Sequence, residues 1–348
     1  MRRLVTALAA LALLLLTAAG MKNADALAQN CRSVSLRYSQ PIAAETAEAA
    51  REKQPDLTFW CEETATLAAS WRQTEAAVLY YWGDASLVWG ADCLSGGMPA
   101  PLDAGGCAVS TALAWQLFGS EDAVGLTLSR ENTEYTVRGV FESEEPVALL
   151  PKADAAFTAA ELPAEGDAGE DPAARVDACL VKSGLPEPDW RLYTALPAAL
   201  ARGMAWLPLA FGTAVLAAAL VRRAARLSFP ARGAVFFALL GAAALALPAF
   251  FSVWPSWLTP SRWSDFSWWS QTAGQLSEMG EAFLTAPCAG RDLAVKTGLL
   301  AQAGLALLQC ALCEVLRCRF RAAEMRLPRT VAPAQAVCYN ETDEEAAC

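Results

Sequence analysis

The residue type with the most chemistry to offer here is cysteine: the chain holds eleven of them and not one histidine in 348 residues. Without an imidazole there is no Ser–His or Cys–His dyad, and both the commonest general base and the commonest zinc ligand are missing. Lys, Asp and Glu remain as acids and bases, but no pair of them clusters inside an apolar segment. Cys310 and Cys313 have C-x-x-C spacing, yet no second pair and no histidine complete a metal set, so on an apolar helix they read as small packing residues. Glu314 is the one ionisable residue within an apolar segment. Its neighbour Arg317 points to a local ion pair rather than a proton relay. The chain lacks a G-x-x-x-x-G-K-[ST] loop, which removes nucleotide hydrolysis by that route. The expectation is therefore a protein that is not an enzyme and calls for no cofactor or metal.

The elements that would position these residues are dominated by lipid-compatible stretches. Hydrophobic residues make up 55% of the chain against 18% charged, and the mean hydropathy is +0.26, too apolar for an ordinary soluble protein. Four segments stand out: Leu4–Ala19, Gly203–Val221, Gly233–Val253 and Thr297–Leu316. The second is uncharged throughout and roughly 28 Å long as a helix, enough to cross a hydrocarbon core. The first segment, within an N-terminal unit of residues 1–22, follows Arg2 and Arg3. It reads either as an uncleaved anchor or as a secretory signal ending at Ala26-Leu27-Ala28; both send the following residues outward. Basic residues flank the segments consistently: Arg2 and Arg3 at the start, Arg222, Arg223, Arg226 and Arg232 between the second and third, and a run from Arg317 to Arg329 after the fourth. By the positive-inside rule these regions are cytoplasmic. The resulting expectation is a multi-pass protein of the cell membrane with four spans, both termini inside, and a cytoplasmic tail over 317–348.

Two regions then lie outside. The larger, residues 29–200, carries far more acid than base, and the net charge of −10 argues against binding nucleic acid. The smaller, a loop over 254–296 within a membrane region of 203–316, contains Trp254, Trp257, Trp263, Trp268 and Trp269. Tryptophans just beyond a span are expected at the headgroup level, so membrane lipids are the expected partner there. Six cysteines (31, 61, 93, 107, 179 and 288) fall on this oxidising side, where disulfides persist. Cys93 and Cys107 flank the Gly- and Pro-rich stretch Leu94–Gly106, flexible enough to bring its ends together. They are the expected disulfide.

Residues 29–200 mix helix and strand signals and should form an α+β domain. Strands are expected at Ser33–Ser39, Leu57–Thr64, Ala76–Tyr81, Leu126–Ser129, Tyr135–Phe141 and Val147–Leu150. Helices are expected at Ala43–Lys53 and Thr111–Phe118, the latter capped by Ser110 or Thr111 and stopped by Gly119. Ala153–Arg175 reads as a solvated loop, and Trp190–Met204 as a helical lead into the second span.

One stretch of this domain is more specific. "SLVWGADCLSGGMP" followed by "CAVSTALAWQLFGSEDAVGLTLSRENTEYTVRGVFE" resembles the periplasmic core domain of MacB/FtsX-type ABC transporter permeases. The matching positions are Leu117-Phe118-Gly119, Gly125 and Tyr135-Thr136-Val137-Arg138-Gly139-Val140. The detailed match covers only Leu87 to Glu142, but the order of one span, a large outer domain and three further spans is also that family's. The resemblance implies a permease-like subunit that relays motion between a separate cytoplasmic ABC ATPase and its outer domain, acts on amphipathic cargo or an outer partner, and works as a homodimer or with a second permease. Arg222, Arg223 and Arg226 are the candidate ATPase contact. The family's coupling helix, however, has only Arg222–Arg232 to occupy here, interrupted by Pro230. That shortness supports the alternative of a membrane-anchored sensor or interaction protein that keeps the domain and has no ATPase.

Overall fold

The computed structural model describes residues 2–70, 72–164, 171–225, 228–251, 258 and 264–324. Arg226, Trp254, Trp257, Trp263, Cys338 and Cys348, with the tail beyond Glu324, lie outside them. Helix α1 (Arg2–Asn30) leads into a sheet domain. In chain order this comprises β1 (Ser33–Ile42), α2 (Ala44–Lys53), β2 (Thr58–Ala69), β3 (Arg72–Trp82), α3 (Ala85–Val88), β4 (Cys93–Gly96), β5 (Gly106–Ser110), α4 (Thr111–Phe118), β6 (Thr127–Arg130), β7 (Thr133–Phe141), β8 (Val147–Pro151), β9 (Phe157–Pro163), α5 (Pro172–Ser183) and β10 (Trp190–Tyr193). Then come α6 (Ala195–Ala224), α7 (Phe229–Phe251), α8 (Phe266–Thr285) and α9 (Asp292–Glu324).

The ten strands form one sheet in the order β10-β1-β9-β2-β3-β8-β5-β7-β4, with β6 bridging β2 and β7. Only β3–β8 and β5–β7 run parallel; the other pairs are antiparallel. The domain is thus a mixed α/β unit, with helices packed on both faces of the sheet. Strand periodicity explains the layers. Val34, Leu36, Phe59, Cys61, Val78, Val109, Val137 and Phe157 point to one face, where α2, α4 and α5 contribute Ala47, Leu113, Leu117, Val176 and Leu180. The intervening residues Trp60, Leu79, Tyr81, Phe141, Leu149 and Ala159 form a second core with Ala85 and Val88 of α3.

Two expectations are corrected. The stretch read as a solvated loop contains β9, which lies between β1 and β2 in mid-sheet with Phe157, Ala159, Ala160 and Glu161 fully buried. Its alanines and single glutamate hide it from a hydropathy reading. Trp190–Tyr193 is an edge strand, β10, rather than the start of a helix. Among the described residues three helices are long and apolar enough to cross a membrane: Ala7–Asn30, Ala195–Ala224 and Asp292–Arg319. The third expected span falls in α7, whose described apolar stretch is Phe229–Leu245. The region of the expected Trp-rich loop holds a further helix, α8, instead of continuous loop.

Helices α1, α6 and α9 converge beneath the sheet domain. Ala24, Leu27, Ala198, Ala201, Ala205 and Val295 are buried where they meet, and such small side chains let helix backbones approach closely. Further along, Asn23 donates through Nδ2 to Gln302 Oε1 (2.9 Å) and to the Gly298 carbonyl (3.1 Å), and Gln309 Nε2 donates to the Leu16 carbonyl (2.6 Å). The two glutamines that weakened the last segment as a span are therefore turned onto α1, each 1% exposed.

Candidate functional site: a buried ionic joint between sheet and last helix

The second sheet face does not stay apolar. On β1 the residues alternating with Val34, Leu36 and Tyr38 are Ser33, Ser35 and Arg37, and all three are buried. Glu161 of β9 stands opposite Ser35 in the register and is 0% exposed. A carboxylate so placed must find donors or become very costly. It finds four: the Ser33 and Ser35 hydroxyls, Trp60 Nε1 (2.9 Å) and the Arg291 guanidinium (3.1 Å).

Arg291 reaches this carboxylate from outside the domain, at the residue before α9 begins. It is 3% exposed and its donors are well used. One nitrogen donates to Glu161 and to Ser33 Oγ (2.6 Å); the other donates to the Leu87 carbonyl and to the Val88 carbonyl (3.2 Å) at the end of α3. Ser33 accepts from the arginine while donating to the glutamate, so the three groups form a closed chain. Thr194, at the head of α6, donates its hydroxyl to the Ser33 backbone carbonyl. Beside them Arg37 pairs with both oxygens of Asp292 at 3.0 Å and lies over the Trp60 ring with its guanidinium carbon 4.4 Å from the centroid. Asp292 also accepts from the Ala289 amide (3.1 Å), closing the turn that starts α9. Two crossed ion pairs, one of each polarity, thus lock the first residues of α9 to β1 and β9.

This joint can hold position and transmit force; it offers no nucleophile aimed at an open site. Among the described residues no group of three His, Cys, Asp or Glu side chains could hold a metal. The buried thiols are held protonated: burial pushes Cys107 up to about 12 and Cys61 up to about 11.

The residues singled out in the sequence fall elsewhere. Ser110 caps α4 by accepting from the Leu113 amide, and Gly119 ends it in the left-handed region at φ 77°. Leu117 is buried and Phe118 packs on the main core. Gly125 (φ 86°) donates its amide to the Val137 carbonyl, and Tyr135 is buried on β7. Gly139 lies against the edge strand, where a Cβ would come 2.5 Å from the Gly97 carbonyl oxygen and 2.8 Å from Cys93 Sγ. These positions build the fold around β7 and do not reach the joint.

The Cys93–Cys107 disulfide is not formed. Cys93 on β4 and Cys107 on β5 pair with opposite edges of β7, so two inter-strand spacings, about 10 Å, separate strands that a disulfide would need within about 7 Å at Cα. Both thiols are free. The flexible loop brings its ends into one sheet, but with a strand between them.

Arg222 and Arg223 close the last turn of α6, and α7 begins at Phe229. Only residues 225–228 separate the two helices. Glu314 accepts from Arg317 Nε at 2.7 Å, a local i,i+3 pair as expected.

None of Arg37, Glu161, Arg291 or Asp292 was legible as a site. The available signals were faint: polar residues at alternate positions of β1, and an Arg-Asp doublet at the threshold of an apolar helix. Only the tertiary fold brings residues more than a hundred positions apart together.

No protein-family model matches the chain, and no curated protein does. Solved structures are similar in fold. The periplasmic region of MacB from Actinobacillus actinomycetemcomitans matches 48% of this chain and 90% of that chain at 11% identity and a TM-score of 0.40. The extracellular domain of the noncanonic ABC-type transporter YknZ from Gram-positive bacteria matches 44% of this chain and 89% of that one, at 12% identity and a TM-score of 0.34. Likeness of that degree leaves the functional argument to this chain's own residues.

Proposed function

We propose that this chain is a permease-like membrane subunit whose outer domain and membrane helices move as one body through the joint at α9. The observation that carries the reading is the pair of crossed, buried ion pairs, Arg291–Glu161 and Arg37–Asp292. A domain merely tethered to a membrane needs no such fixed attachment. Because α9 is hydrogen-bonded to α1 and packed on α6, displacement of the helices would reach the sheet without slack. The MacB/FtsX-like stretch around β7 supports the same reading, and a separate ABC ATPase would supply any nucleotide hydrolysis. Its contact would use the cytoplasmic turn around Arg222, Arg223 and Arg226, and the chain would work as a homodimer or with a second permease.

The short α6–α7 connection favours a second reading, a membrane-anchored sensor in which the same joint reports on an outer partner. A mild-detergent pull-down followed by an ATPase assay separates the two. Co-purifying activity that falls when Arg222, Arg223 and Arg226 become serine, at unchanged membrane level, supports the permease. No ATPase in the native pull-down favours the sensor.

A further inference from the structure

Outside the joint, a cleft lies between α8 and the edge of the sheet. Its volume is about 330 Å³, and its walls come from β10 and the residues before it (Pro188 to Arg191, and Tyr193), from Ala173 at the start of α5, and from Gln275, Glu278, Met279 and Ala282 of α8. That size lies at the lower end of the range for small-molecule sites.

The lining is chemically one-sided. The floor is apolar, with Met279 and Pro188 buried. Trp190 and Tyr193 are half-buried and contribute aromatic walls. The single cation, Arg191, is already neutralised twice over, by Asp177 (2.7 Å) and by Glu187. The carboxylates of Asp189 and Glu278 therefore face the cleft without a cation of their own. Asp189 is held ionised by the Ser39 amide, which donates to it and keeps its carboxyl below the usual range. The neighbouring α5 adds acid too: Asp171 accepts from Gln275 (3.4 Å), while Arg175 turns away to the Ala164 carbonyl (2.9 Å). An anion would meet the carboxylates of Asp189 and Glu278 and a guanidinium whose charge is already paired. A cation with an apolar body would find aromatic faces, negative charge and a greasy floor together, the combination that recognises ammonium groups.

We infer that the cleft between α8 and β10 binds an ammonium-bearing amphiphile. Phe283 of α8 packs on the cluster that holds Ala198 and Ala201 of α6, where the sheet domain meets the apolar helices, and α8 also exposes Phe266, Trp269 and Leu284, so the ligand would enter from the bilayer surface. The site is independent of ATPase coupling and would serve a permease or a sensor alike. Its ligand can be a free cationic amphiphile or the headgroup of an ammonium-bearing lipid.

The test uses the full chain in nanodiscs of phosphatidylglycerol, with radiolabelled tetraphenylphosphonium as the probe and empty nanodiscs subtracted. Saturable binding of one probe per chain is expected, weakened about tenfold by Trp190→Ala, between the sizes of an exposed and a desolvated cation–π contact, and further by Glu278→Lys. Both side chains are at least partly exposed, and an unchanged melting temperature establishes that the variants fold. Tetraphenylborate, the same shape with opposite charge, should not compete. If phosphatidylethanolamine nanodiscs abolish probe binding, the headgroup is the occupant; if they leave it intact, a free amphiphile is. Non-saturable binding, equal binding of tetraphenylborate, or variants that bind as tightly as the native chain would overturn the assignment.

Discussion

The two faces of the sheet solve burial in opposite ways. On one, Val34, Leu36, Phe59, Phe157 and their neighbours meet apolar residues of α2, α4 and α5; any well-shaped apolar partner would serve. On the other, Ser33, Ser35 and Trp60 bond Glu161 within the sheet, but Glu161 and Arg37 find their opposite charges in Arg291 and Asp292 at the start of α9. On the apolar face the stabilisation grows in proportion to the area buried. A buried ion pair adds little net stability, since desolvation offsets the attraction, but it is costly to break. What it contributes is a single docking geometry.

That contrast can be broken deliberately. Replacing Glu161 by alanine should have the largest effect, about 3–5 kcal/mol, because Arg291 stays buried without its counter-charge. Denaturant unfolding of the full chain in detergent reads the loss. The double variant Glu161→Leu with Arg291→Met should recover most of it, and failure to recover would mean that the ion pair itself stabilises. An apolar-face variant, Leu67→Ala, should cost about 2–5 kcal/mol as a cavity. It should nevertheless leave intact an engineered crosslink between β1 and α9, which Glu161→Ala should weaken. A variant of the second kind that also loosens the crosslink would erase the distinction between the faces.

Smaller effects sharpen the account of α9. Gln302→Leu removes the acceptor for Asn23, and a double-mutant cycle with Asn23→Ala should return about 0.6 kcal/mol, typical of hydrogen bonds between membrane helices. Gly20→Leu should disturb the same seam by crowding, because even a Cβ there would lie 3.4 Å from Gln302 Nε2 and 3.3 Å from Gln309 Nε2. Both expectations require α1 to remain in the mature protein, so mass measurement of the membrane-extracted chain checks them at the root. The smallest effect concerns pH. Arg138 donates to Asp103 at 2.8 Å and holds its carboxyl below the usual range. A depressed folded value means stability that is present above the ordinary carboxylate range and lost as pH falls through the lowered value. Melting curves of Asp103→Asn should therefore match the native chain in acid and differ only slightly at neutral pH, since the group is exposed and screened.

What the residues declared unaided was whatever depends on neighbours in sequence. The ends of α4 are written in Ser110 and Gly119, because capping and left-handed stops are local. The apolar helices are written in unbroken stretches, because the bilayer sets a length that composition alone can meet. Six strands showed through in alternation or apolar runs. Three features were decided only in three dimensions. Strand β9 is a central strand despite a glutamate, because the donors for Glu161 come from β1, β2 and the start of α9. Cys93 and Cys107 are kept apart because β7, a strand remote from both, slips between them. The joint itself pairs Arg37 with Asp292 across the length of the chain, and no local pattern carries that information: an ion pair is a property of two positions, and folding chooses which two.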